Sequence, residues 1–258
     1  MTRLTITSPL GAGAPPVYFK AETTSTMDDA RRLVANGCPS GTAIVADHQT
    51  AGRGRRAGRV WYAAPAESLM FTVALDRPDQ PVTRSLAMAA AVARLLEEEA
   101  LTARVKWPND VLVDDRKICG ILADHDGRWL YLGVGLNVRQ ERFPTEVAQA
   151  ATSLRLAGAG KRPPSDPSWS DDEWPALRDR LLVRLLELYA DSQSRWYELL
   201  TERLWRRGEA VEVVSPGGRR TTGRLTGIEP DGRLIVTGEA VHRVTAGEVS
   251  LYGRERHG

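Results

Sequence analysis

Residues 46–61 read Ala-Asp-His-Gln-Thr-Ala-Gly-Arg-Gly-Arg-Arg-Ala-Gly-Arg-Val-Trp, with glycines at 52, 54 and 58 set among arginines at 53, 55, 56 and 59. Neither a helical nor a strand period runs through them, so they form a loop. Glycine lets the backbone take positive φ and come close to a ligand. Arginine presents a fixed fork of donors that suits a carboxylate or a phosphate. The chemistry this implies is capture of a small anion by a loop that closes over it. A basic turn, or a strip touching nucleic-acid backbone, is the plainer reading of the same residues.

Downstream groups favour the first. Lys106-Trp-Pro-Asn-Asp110 and Lys117-Ile-Cys-Gly-Ile-Leu122 each place a lysine at a strand end. Such a lysine can hold a phosphate or a developing carboxyl charge. Asp110 suits magnesium, which takes one or two carboxylates together with phosphate oxygens. Gly120 clears a side chain where a ligand or a second backbone approaches. Gly133-Val-Gly-Leu-Asn137 ends a strand in an amide able to meet a phosphate or a metal. Taken singly, each has an ordinary explanation: a solvated lysine, a capped turn, a β-bulge. Gathered near one loop, they do not.

Other chemistries lack their residues. There is no phosphate loop of the Gly-x-x-x-x-Gly-Lys type and no Gly-x-Ser-x-Gly elbow. His48, His125, His242 and His257 lack metal-ligand spacing. Cys119, between Ile118 and Gly120-Ile121, reads as a buried, inert thiol, and with Cys38 it makes no disulfide framework. A net charge of +2 over 258 residues exerts no global pull toward nucleic acid. No signal peptide or bilayer-spanning run is visible, so a cytoplasmic protein without membrane or DNA partners is expected.

The elements that must position these groups follow in order. Residues 1–16 read as a flexible lead-in. Thr24-Ser25-Thr26 opens a helix with Asp28 and Asp29 in its first turn, Met27, Ala30 and Val34 along its buried stripe and Gly37 at its end. Strands are expected at 42–46, 69–75, 111–113, 117–123 and 129–138, with an alanine-rich helix over 85–98. Several of these strands succeed one another without helices between them. The reading is an α+β fold with a mixed, largely antiparallel sheet flanked by helices. Residues 176–203 carry a strong helical period with a break expected near Ser192, and 161–174 form a proline-rich linker. From 208 onward, short strands alternate with glycine turns, the pattern of a small SH3-like β-barrel. The domains expected are 17–207 and 208–258.

Ser25-Thr26, Gln49-Thr-Ala-Gly-Arg-Gly-Arg55, Lys106-Trp-Pro-Asn-Asp110, Lys117-x-x-Gly-Ile-Leu122 and Gly133-Val-Gly-Leu-Asn137 stand in the order found in biotin–protein ligases, which the chain resembles from about Phe19 to its end. The resemblance implies a fold like that of class II aminoacyl-tRNA synthetases and biotin ligases. It also implies formation of biotinyl-5'-AMP from biotin and ATP with magnesium, then transfer to one lysine of a biotin carboxyl carrier domain, by a monomer or homodimer. It assigns Ser25, Thr26, Gln49, Gly52, Arg53, Arg55, Lys117, Gly120, Ile121, Gly133 and Gly135 to biotin. To ATP it assigns Arg55, Arg59, Trp61, Lys106, Asn109, Lys117, Asn137 and Ala151, with Asp110 for the metal. Lys117 is the main electrostatic catalyst, supported by Arg53 and Arg55. The chain departs from the family pattern at Ala57, which lengthens the loop by one residue ahead of Arg59. It departs again at Ala151, where some members carry a tryptophan that stacks on adenine. A lipoate ligase of related fold and a biotin-responsive repressor are the alternatives. The loop and the C-terminal strands count against the first, and the lack of a helix-turn-helix segment counts against the second.

Overall fold

In the structure, a computed structural model, residues 1–55, 58, 60–77, 81–158 and 173–251 are described. The order is β1 (Thr2–Thr7), β2 (Pro16–Thr23), α1 (Thr26–Ala35), β3 (Ala43–Gln49), β4 (Ser68–Asp76), α2 (Pro81–Glu98), β5 (Ala103–Lys106), β6 (Asp110–Val113), β7 (Arg116–His125), β8 (Trp129–Asn137), α3 (Leu154–Gly158) and α4 (Trp174–Arg203). Then come β9 (Ala210–Val214), β10 (Arg220–Ile228), β11 (Leu234–Thr237), β12 (Val241–Val244) and β13 (Glu248–Leu251).

The first eight strands form one sheet in the order β1-β2-β3-β4-β8-β7-β6-β5, in which only β2 and β3 run parallel. The mixed, largely antiparallel α+β architecture read from the sequence is the one found. Residues 86–93 of α2 are buried without interruption, so the middle of that helix has no polar face. It lies between the sheet and α4, and its alanines permit the close approach. On the other face α1 packs Met27 and Ala30 against Ile44, Ala74 and Tyr131 in a smaller cluster.

Three expectations need correction. The lead-in is not loose: Thr2–Thr7 alternates threonines with Leu4 and Ile6, which pack on the core, and β1 pairs antiparallel with β2. Helix α4 runs through Ser192 unbroken, because that small side chain is wholly buried against α2 and meets Arg94 Nη1 at 3.2 Å. Ala103–Lys106, where no strand is expected, is a full strand on β6. The C-terminal strands make a five-stranded antiparallel sheet, β12-β11-β10-β9-β13. It shares its buried side chains with the main domain, and Trp107 Nε1 donates to Gly232 O at 3.0 Å across the junction. Among the described residues no helix is long and apolar enough to cross a membrane.

Candidate active site

The site lies where β3, β4, β8 and β7 run side by side beneath α1. Across these strands Gly133 pairs with Thr72 on one side and Leu122 on the other, while Gly135 pairs with Met70 and Gly120. The glycines leave a flat floor. A Cβ on Gly135 would stand 2.4 Å from Trp61 Cε2, and one on Gly120 3.1 Å from Trp61 Cζ3, so the indole lies directly on that floor. Gly52 has a related task at the loop's root: a Cβ there would sit 2.8 Å from Trp61 O, where the two arms of the loop meet.

One end of the cavity is polar. Ser25 caps α1, accepting from Met27 N–H at 3.3 Å. The same oxygen faces Arg53 Nη2 at 3.4 Å, so its own O–H remains available to a ligand. Gln49 Oε1 accepts from the Thr26 backbone N–H at 2.8 Å and from the Thr26 hydroxyl at 3.1 Å. Behind Thr26, Thr72 Oγ1 stands 2.9 Å from Thr26 Oγ1.

The other end is cationic. Lys117 Nζ meets Asp110 Oδ1 at 2.7 Å and lies 5.7 Å from the centre of the Trp61 ring. Its direction comes from an irregularity in the ladder: Val111 pairs with Cys119 but Leu112 with Lys117, a one-residue shift in register. In an unbroken strand Lys117 would share the face of Cys119, which is wholly buried. The bulge turns it over Gly120 instead, where an added Cβ would lie 3.2 Å from its Nζ. Arg53, expected with Lys117, stays at the Ser25 end, where it donates to Asp28 of α1 at 2.5 Å, and Arg55 donates to Gly247 O, just ahead of β13, at 2.8 Å. Burial pushes the Cys119 thiol far up, in keeping with an inert core group.

Ser25, Thr26, Gln49, Arg53, Arg55, Trp61, Asn109, Lys117, Gly120, Ile121, Gly133 and Gly135 therefore line one cavity. The chain resembles known proteins along most of its length. Residues 19–138 match the biotin/lipoate A/B protein ligase family and residues 208–252 the biotin protein ligase C-terminal domain. The biotin--[acetyl-CoA-carboxylase] ligase of Mycobacterium tuberculosis is 33% identical over 256 residues, covering 93% of this chain and 90% of that protein. The chain belongs to the biotin protein ligase family. The bifunctional ligase/repressor BirA of Bacillus subtilis is 30% identical over 245 residues, 88% of this ligase and 71% of BirA. A solved biotin protein ligase from Aquifex aeolicus, in complex with biotin and ATP, superposes with a TM-score of 0.74 at 27% identity, covering 91% and 97% of the two chains.

Not every expected residue faces the cavity of this ligase. Lys106 points away, its Nζ 5.4 Å from the Trp205 ring. Asn137 is buried one strand-end away, donating to Thr152 O at 2.9 Å. Ala151 contributes backbone: the segment around it pairs with Lys117 through Lys117 N–H to Ala150 O at 2.7 Å and Thr152 N–H to Lys117 O at 2.9 Å. Trp61, expected beside the nucleotide, covers the glycine floor. Arg59 and Ala57 lie outside the described residues. Met27, Phe71, Thr72, Leu122 and Val134 also line the cavity, and motif reading missed them. For Thr72 one signal was present, a hydroxyl inside the otherwise apolar run Leu69–Leu75.

Proposed function

We propose that this ligase condenses biotin with ATP to biotinyl-5'-AMP and passes the biotinyl group to a lysine of a biotin carboxyl carrier domain. The observation that carries this is a single slot with hydrogen-bonding groups at one end and Lys117 at the other. A ring bearing a carbonyl and N–H groups fits Ser25, Thr26 and Gln49. The acid's tail then runs over Gly133 toward Lys117. There a carboxylate oxygen attacks the α-phosphorus, forming one P–O bond as the bond to pyrophosphate breaks.

Lys117 neutralises charge in that transition state, a term worth several kcal/mol in sites of this kind. No enzyme nucleophile takes part, because the mixed anhydride is itself the activated species. An incoming lysine amine attacks its acyl carbon, AMP leaves, and the amine gives up a proton. Trp61 and the arginine loop keep water from the anhydride meanwhile.

Magnesium fits the residues present. Asp110, a carboxylate 2.7 Å from Lys117 Nζ, would be the residue to hold it. Among the described residues no cluster of three metal-ligating side chains occurs, which suits an ion that shares its shell with phosphate and water. Bound with the triphosphate, it draws charge from the phosphate oxygens.

Incubation with labelled biotin, ATP and a carrier domain tests the reading, with lipoate in a parallel reaction. ATP-dependent label on the carrier from biotin alone is the expected result. Transfer of lipoate in preference would overturn it.

A further inference from the structure

Hydrogen-bond direction at the polar end of the slot is fixed by one group that can only donate. The Thr26 backbone N–H lies 2.8 Å from the Gln49 side chain, so the amide must turn its oxygen, not its nitrogen, to Thr26. That oxygen carries no proton, so the 3.1 Å contact between it and Thr26 Oγ1 requires the Thr26 hydroxyl to donate. Its single proton is then committed. The 2.9 Å contact between Thr26 Oγ1 and Thr72 Oγ1 must be made by the Thr72 proton. The chain of donation runs Thr72 to Thr26 to Gln49, with no alternative sense.

Both hydroxyl oxygens are thereby left with lone pairs and no free proton. Thr72 is wholly buried in β4 and lines the slot. A Cβ on Gly133, in the strand register opposite, would lie 3.6 Å from its Oγ1, so the oxygen borders the space a ring would occupy. The threonine end of the slot is a pure acceptor.

We infer that Thr72 is a positioning residue for substrate selection. Its hydroxyl donates to Thr26 Oγ1 and holds that oxygen in place, so that the two threonines turn lone pairs to the ring end of the slot, which takes N–H donors and rejects rings without them. This rests on the biotin reading of the slot. Without the Thr72 hydroxyl, Thr26 Oγ1 loses the donor that holds it in place and the slot loses one of its two acceptor oxygens, with the shape unchanged.

Thr72→Val preserves shape and removes the hydroxyl; Thr72→Ser restores it. Pyrophosphate release is measured against biotin, and binding is measured for dethiobiotin, which keeps the ureido ring, and for lipoate, which has no N–H. For Thr72→Val the biotin KM should rise about tenfold, the scale of one hydrogen bond, with kcat at saturating biotin within about twofold of the parent. Dethiobiotin should weaken in parallel, lipoate should not, and serine should bring biotin back. An unchanged KM, a loss that serine does not rescue, or an equal loss for lipoate would overturn the inference. Should the valine variant fail to fold, Thr72→Ala against Thr72→Ser gives the same comparison. Wild-type protein that makes no biotinyl-adenylate would instead sink the proposed function, so the two failures are distinct.

Discussion

Lys117 Nζ and Asp110 Oδ1 stand 2.7 Å apart at the irregular step of the β6–β7 ladder, so the site's central cation is held by a carboxylate. The pair keeps Lys117 over Gly120, where the reacting carboxyl group belongs. Lys117→Ala should therefore leave the fold in place and lower adenylate formation by roughly 10²–10³, the scale for removing one transition-state donor. Pyrophosphate release measures it; a near wild-type rate would remove Lys117 from the chemistry.

The indole of Trp61 occupies the floor that Gly135 leaves open. Gly135→Ala puts a methyl group 2.4 Å from Trp61 Cε2, a distance no packed pair tolerates. The ring must leave the floor, at an overpacking cost of about 1–3 kcal/mol if it cannot move freely. The expected outcome is weaker biotin binding with a red-shifted tryptophan emission. Unchanged emission and affinity together would show that the ring is not seated there.

Arg55 links the loop to Gly247, just ahead of the C-terminal strand β13. Arg55→Gly removes this tether and, on the proposed function, a donor for the adenylate. Adenylation, which Lys117 serves, should largely survive, while the product escapes and acylates lysines of a bystander such as albumin. Label on albumin at equal adenylate production is the readout. Parity with the parent protein would mean that Arg55 does not retain the intermediate.

The sequence presents residues 208 onward as a separable appendage, but the structure joins them to the main core. Val211, Val213, Leu225 and Leu234 are buried in the same cluster as Leu86 and Trp107. Truncation before Gly208 should uncover that apolar surface and lower the melting temperature by about 10 °C or more, since a few kcal/mol shifts Tm by that much in a domain of this size. Thermal unfolding of the truncated chain at the parent's Tm would contradict the shared core.

Asp29 sits wholly buried in the first turn of α1. Burial pushes its carboxyl upward, yet hydrogen bonds from Lys20 and Thr23, with Arg32 alongside, outweigh it and hold it below the ordinary carboxylate value. A depressed value means stability that is full above the unfolded value of about 3.9 and is lost as pH falls through the folded one. Asp29→Asn should lower Tm at pH 7 and shrink the further fall between pH 5 and 3. An undiminished acid-dependent fall in the variant would assign it to other carboxylates.

What the sequence determined by itself was the chemistry in short spans. Glycine and arginine in the loop, the lysine ahead of Gly120, the paired glycines of β8 and the Ser25 cap are legible because each depends on neighbours a few residues away. The tertiary structure decided where those groups face. Strict alternation from Lys117 to Cys119 would have buried the lysine, and only the register shift against β6 turns it to the slot. Thr72 and Thr26 are 46 residues apart and meet because β4 lies beneath α1, which no local spacing encodes. Lys106, identical in type to Lys117 and set in a similar motif, ends over Trp205 because its strand lies at the far edge of the sheet. Residue type fixes what a side chain can do; strand register and packing fix what it meets.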